Sequence, residues 1–300
     1  MSKILITGAT GLIGTRLTEV LQHGGHTVMH LSRRKRDGAI QTWEWNIDKH
    51  FVEEGAFDGV DTIIHLAGAG IADKPWTKAR KRELLESRTH STRLLYEELK
   101  RRNHTVTSFI SASAIGYYGF ADENRMLVET NSPGTDFLAG VVKKWEDEID
   151  QISELNIRVA KLRVGVVLTM EGGALKEIAK PVKLYAGAPL GSGNQYISWI
   201  HIDDLCRVFV NAAESPSFRG AYNAVAPHPV TNRELTKAIA HTLGKPLILP
   251  AVPAFALKLV FGEMADLVLK GSKVSSKKLE ETGFDFKYPS VDKALASLLS

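Results

Sequence analysis

Three glycines and a few hydroxyl residues carry the chemistry this sequence can offer. Gly8, Gly11 and Gly14 stand three apart in the run Thr7, Gly8, Ala9, Thr10, Gly11, Leu12, Ile13, Gly14. Such glycines let a backbone turn sharply and approach a pyrophosphate, while the amides at the start of a following helix face the negative charge. The spacing is GxxGxxG rather than GxGxxG, so its meaning depends on a strand before it and a helix after it. A second set is Ser111, Ser113, Tyr117 and Tyr118. A serine can hydrogen-bond a substrate oxygen, and a phenol can give a proton to a carbonyl or alkoxide. Ser113 is the preferred serine, with Ser111 the alternative if the register differs by two. Histidines and acids are scattered, and no metal constellation is expected. The single cysteine, Cys206, lies in an apolar run and reads as a buried, inert thiol.

The elements needed to position these residues are legible around them. Ile4, Leu5 and Ile6 form a short apolar run suited to a buried parallel strand. Leu12, Ile13, Leu17, Val20 and Leu21 recur at helical spacing, and Gly24 and Gly25 end that helix. Further strands are predicted at 26–31, 42–45, 62–66, 108–113 and 158–168, with helices at 78–100 and 136–152. This alternation predicts an α/β fold, a doubly wound parallel sheet that binds ligands at the carboxyl ends of its strands. The candidate cofactor contacts are therefore Thr7, Gly8, Thr10, Gly11, Leu12, Ile13 and Gly14 after the first strand, and Ser32 and Arg33 after the second. Asp48 after the third and Leu66, Ala67 and Gly68 after the fourth complete the set. A ribose-binding acid is expected near the end of the second strand when the cofactor is NAD. The chain has Ser32, Arg33 and Arg34 there and no acid before Asp37. A guanidinium fork suits a 2′-phosphate, so NADP(H) is favoured, against a plain solvated basic loop. Asp48 reads equally as an adenine contact or a loop cap, and His65 as a core histidine.

Beyond 168 glycines and prolines crowd the chain, followed by a short strand near 198–202 and a helix that Asp203 and Asp204 can cap. Helices are predicted at 231–243, across 250–271 and across 274–299. The reading is a cofactor-binding domain at 1–168 and a smaller substrate-binding lid, mostly helical toward its end, at 169–300. The composition is that of a globular protein: 44% hydrophobic and 24% charged residues, with a net charge of +4 over 300 residues. The basic residues are too dispersed for a nucleic-acid face. No apolar stretch reaches membrane-spanning length, and the chain opens on a strand without a secretory signal. A cytoplasmic protein with a small-molecule substrate, without nucleic-acid or membrane partners, is expected; homodimerisation is left open.

The glycine run, the segment His65, Leu66, Ala67, Gly68 and the serine-bearing strand together resemble the extended short-chain dehydrogenase/reductases. More narrowly, the chain resembles their atypical NAD-dependent epimerase/dehydratase-like branch. The segments 72–77, 87–88, 113–119, 172–175, 198–204 and 262–265 match that branch, and the resemblance spans the whole chain. It implies a Rossmann-type fold, bound NADP(H) and an undefined substrate. It also implies a tyrosine with a lysine four residues later as the proton-transfer pair, and here the chain departs. The helix at 136–152 has no tyrosine, and Ala139 and Gly140 stand four residues before Lys143 and Lys144. Tyr96 and Lys100 have the spacing but lie on the preceding helix, in the wrong place.

Ser113 with Tyr117 or Tyr118 is then the expected catalytic set, with the lysine pair aiding the ribose and Trp76, Trp199 and His201 shaping the pocket. The resulting expectation is an NADP(H)-dependent oxidoreductase or epimerase-like protein acting on a small hydroxyl or carbonyl compound. The alternative is a non-catalytic NADPH-binding module for redox sensing or scaffolding.

Overall fold

A computed structural model describes residues 1–35, 38–120 and 125–299. The sheet starts with β1 (Lys3–Thr7), and α1 (Leu12–His23) leads to β2 (Thr27–Ser32) and β3 (Thr42–Asn46). A two-residue β4 (Phe51–Val52), β5 (Thr62–His65), the long α2 (Lys78–Arg101) and β6 (Ser108–Ala114) follow. A 3-10 turn at Ile115–Tyr118 leads to β7 (Met126–Leu127), α3 (Phe137–Gln151) and β8 (Arg158–Val164). The order across the main sheet is β12-β8-β6-β5-β1-β2-β3-β4, where β12 is Gly220–Ala224. Every neighbouring pair is parallel except β3 with β4. Parallel strands covered on both faces must be apolar throughout. Ile4, Leu5, Ile6, Ile63, Ile64, Phe109 and Ile110 are accordingly all fully buried.

The strand expected at 158–168 is two strands. It breaks at Gly165, where a Cβ would stand 2.5 Å from the Ser198 carbonyl oxygen. Beyond the break β9 (Val166–Leu168) leaves the main sheet and pairs with β11 (Trp199–His201), after α4 (Gly173–Lys183) and β10 (Tyr196–Ile197). Then α5 (Ile202–Glu214) packs on α1, and β12 returns beside β8. Past the expected boundary at 168, the chain thus gives a strand and a helix back to the main sheet.

The remainder is β13 (Val230–Thr231), α6 (Asn232–Thr242), α7 (Ala254–Phe261), α8 (Asp266–Leu269), β14 (Lys273–Val274), α9 (Lys277–Glu280) and α10 (Val291–Leu299). The stretch expected to be mostly helical across 250–271 is so, since a 3-10 turn at Gly262–Ala265 joins α7 to α8 without a break, whereas across 274–299 a loop separates α9 from α10. Leu279, Phe284 and Phe286 join the same apolar core as β1, while Trp199, Leu175, Leu235 and Leu295 centre a second. Trp199 is a core residue, with no exposure. Among the described residues no helix is long and apolar enough to cross a membrane.

Candidate functional site

The register of β1 against β5 sets Thr7 beside His65. The Thr7 hydroxyl lies 2.7 Å from His65 Nδ1 and accepts from the amides of Leu66 and Ala67, both at 3.2 Å. Thr7 is fully buried, so it clamps the ends of β1 and β5 together and does not present its hydroxyl to a ligand. His65 is equally buried, and Ser91 and Thr92 of α2 approach its other nitrogen at 3.3 and 3.1 Å. Burial, and then the nearby charge of Arg88, push this imidazole down to about 3. It is a neutral core histidine.

The three glycines do different work. Gly8 has φ +67, and a Cβ there would meet the Leu66 carbonyl at 2.8 Å, so it lets the loops after β1 and β5 touch. A Cβ at Gly14 would stand 2.5 Å from the Gly8 carbonyl oxygen, so that glycine seats the helix on the turn. Gly11 is exposed and meets only the Gly8 oxygen, at 3.3 Å, so its Cβ position is open. Gly11 is also the N-cap of α1 and makes no side-chain cap. The first amides of α1, at Leu12 and Ile13, therefore have no acceptor in the helix. The side chain of Leu12 reaches the loop before α4, 3.5 Å from the Cβ position of Gly172. The turn thus leaves free amides at the start of α1 beside an open Gly11 position, a geometry that suits an anion.

A cleft of about 360 Å³ continues from the sheet edge past the ends of β2 and β3. Arg33, Asn46, Ile47 and Asp48 line one wall, and Arg82, Glu86 and His90 of α2 the other. Arg33 and Asp48 are both exposed there, and Ser32 is half-buried. Asp37 lies outside the described residues. Gly68 is exposed and packs on Arg88, whose guanidinium carbon is 3.3 Å from its Cβ position. Arg88 donates to the carbonyls of Leu84 and Ala69 and sits 5.3 Å from the Trp145 ring.

At the carboxyl end of β6 the expected catalytic hydroxyls do not share one fate. Ser113 donates to Glu146 at 2.6 Å, and Glu146 is clasped by two nitrogens of Arg163 at 2.8 and 2.9 Å. Tyr118 donates to Asn223 at 2.7 Å and accepts from Arg163 at 2.9 Å. These side chains are all at least nine-tenths buried and tie β6, α3, β8 and β12 together. Burial tends to raise the Glu146 carboxyl, but Arg163, Ser113 and Lys161 outweigh it and hold it below the usual range. Burial pushes the Tyr118 phenol up to about 12, against the pull of Arg163. Ser113 and Tyr118 are thus committed to the frame. Tyr117 is half-buried, its ring face 3.5 Å from the Arg163 guanidinium, and its hydroxyl makes no hydrogen bond among the described residues. Ser111 is fully buried and donates to the Ala112 carbonyl.

Lys143 lies near this end: Asp147 raises its ammonium most, and Tyr117 adds a smaller push. Lys143 and Lys144 are both exposed; Lys143 pairs with Asp147, and Lys144 lines a groove between α2 and α3. The side of α3 facing the sheet carries apolar residues and the buried Glu146. The α3 residues against Gly116 are Leu138 and Val142, each 3.7 Å from its Cβ position and themselves four apart. His201 caps α5 by accepting from the Asp203 amide at 3.0 Å and stacks on Tyr288 at 3.8 Å. Trp76 donates to the Ile71 carbonyl and packs on Phe137. Sequence reasoning missed Glu146, Arg163, Asn223 and Arg88. For Glu146 and Arg163 the local signal was charge beside apolar residues, while the neutral Asn223 and Arg88 on the polar α2 gave no such signal.

Residues 4–136 match the NAD dependent epimerase/dehydratase family, and residues 252–298 match a domain of unknown function, DUF1731. The chain is 35% identical over 312 residues to the chloroplastic epimerase family protein SDR39U1 homolog of Arabidopsis thaliana, covering 99% of this chain and 86% of that protein. A crystal structure of the human epimerase family protein SDR39U1 with NADPH superposes with a TM-score of 0.88 at 30% identity, over 99% of this chain and 98% of that one. A nucleoside-diphosphate sugar epimerase from Corynebacterium glutamicum superposes with a TM-score of 0.82 at 32% identity, over 99% of this chain and 58% of that one. With its Rossmann-like sheet and these relatives along its whole length, the chain belongs to the SDR39U1-type epimerase family.

Proposed function

We propose that this protein binds NADP(H) along the strand ends and reduces a small carbonyl compound, with Tyr117 as the proton donor. The observation that carries the reading is the uncapped first turn of α1 behind an open Gly11. A pyrophosphate there would accept from the amides of Leu12 and Ile13. Arg33 in the cleft beyond would pair with the 2′-phosphate, and Asp48, Leu66, Ala67 and Gly68 would border the adenosine and the nicotinamide ribose. When bound, the reduced nicotinamide supplies a hydride. The chain supplies the rest. Tyr117 follows β6 with its ring against the buried Arg163, and its hydroxyl makes no hydrogen bond among the described residues. A phenol that keeps its proton can give it to a carbonyl oxygen as the hydride arrives, which suits carbonyl reduction. Ser113 and Tyr118 hold the frame that aims it.

The test is a screen of small carbonyls with NADPH, comparing Tyr117→Phe with the wild type. The expected result is turnover that falls at least about 100-fold in the variant, the usual worth of a general acid. Turnover unchanged by Tyr117→Phe removes that assignment. Tight NADPH binding with no carbonyl turned over favours the second reading, a binding module, which the engagement of Ser113 and Tyr118 also supports.

A further inference from the structure

The stretch from Lys245 to Phe261 carries only two charged residues, Lys245 and Lys258. In a chain with 24% charged residues that is unusual, and most of the stretch lies on the surface. Within it α7 buries Leu257 toward the protein. Its opposite pole should be polar if it faced water permanently. It is Phe255 and Leu259, one turn apart and 74% and 86% exposed, with Val260 beside them at 73%. The preceding loop adds Ile248 and Leu249. The end of α4 joins the same surface through Tyr185, whose hydroxyl receives the Lys245 ammonium at 2.8 Å. The nearest following carboxylates, Glu263 and Asp266, are engaged by Lys81 and Lys270.

A helix apolar on both sides needs a second partner, and contiguous exposed apolar surface of this kind marks an interaction site. The charge pattern selects the partner. A second copy of the same face carries the same two positive charges and no carboxylate of its own between 245 and 261, so it offers the lysines no counter-charge. An anionic bilayer takes the apolar side chains at the acyl boundary and lets the lysine stems reach the phosphates. We propose that the face formed by Phe255, Leu259, Ile248 and Leu249, with Lys245 and Lys258 at its edge, docks the protein on an anionic lipid surface. The mode is peripheral.

The test is co-sedimentation of the full chain with phosphatidylcholine vesicles and with vesicles of equal parts phosphatidylcholine and phosphatidylglycerol. The wild type is expected to pellet with the anionic vesicles and to stay in solution with the neutral ones. The exposed double variant Phe255→Ser/Leu259→Ser should keep its circular dichroism and melting temperature and bind at least about tenfold more weakly. Lys245→Glu/Lys258→Glu should weaken binding by about as much. The proposal is overturned if the wild type remains in solution with anionic vesicles at low salt, or if either double variant binds as the wild type does. It is also overturned if light scattering finds a wild-type dimer that the serine variant converts to monomer, because the face then belongs to a second copy.

Discussion

His65 sits neutral beneath the glycine turn, and its surroundings make it an acid sensor of stability. The unfolded imidazole takes up a proton as the pH falls through 6.5, whereas the buried one does so only near 3. In that window the unfolded state binds more protons, so stability should fall by about 1.4 kcal/mol for each pH unit. Urea midpoints between pH 7 and pH 4 should show this slope, and His65→Gln should flatten it. The depressed Glu146 carboxyl acts lower on the scale. Its stabilisation is complete above its ordinary value of 4.5 and is lost as the pH falls below it. At the mouth of the cleft, Arg33→Asp should remove most of a preference for NADPH over NADH, by replacing an attraction to the 2′-phosphate with a repulsion. Fluorescence titration with both cofactors measures it, and equal wild-type affinities would contradict the assignment. Residue types at this scale were readable in the sequence. Which hydroxyl stays free was not, because Ser113 is taken by a carboxylate 33 residues away, a contact that no local pattern records.

At the scale of elements, the glycine turn makes a prediction with an internal control. Gly14→Ala places a methyl 2.5 Å from a backbone oxygen and should cost about 1–3 kcal/mol of stability. Gly11→Val meets only one atom, at 3.3 Å, and should fold near the wild-type melting temperature while losing the upward shift on adding NADPH. A Gly11→Val protein that keeps that shift would show that the turn does not hold the phosphates. The strands and helices of the first half were legible because parallel strands read as unbroken apolar runs between periodic helices. The break at Gly165 was hidden, since only the distant Ser198 carbonyl makes a side chain there impossible. The division of 274–299 into α9, a loop and α10 was not drawn from the sequence, although Gly283 and Pro289 stand in that loop.

At the scale of the whole molecule, residues beyond 250 help to complete the core around β1, beside the second core centred on Trp199. Truncation after residue 250 removes Leu279, Phe284 and Phe286 from the core that surrounds β1. The shortened chain should be insoluble, or should bind a hydrophobic dye and melt without a cooperative transition. A soluble, cooperative fragment would mark the first part as autonomous. The buried frame also governs what can be grafted onto it. Leu138 and Val142 occupy the face of α3 that looks toward the β6 turn, with the spacing of a tyrosine and its lysine. Yet Val142 lies one turn before Glu146, so the ammonium introduced by Val142→Lys would be captured by a carboxylate already poised there. Freeing it means removing Glu146, which strands the Arg163 charge inside the protein at a cost of about 3–5 kcal/mol. A tyrosine and a lysine grafted at 138 and 142 therefore could not act as a dyad until Arg163 had been given another partner.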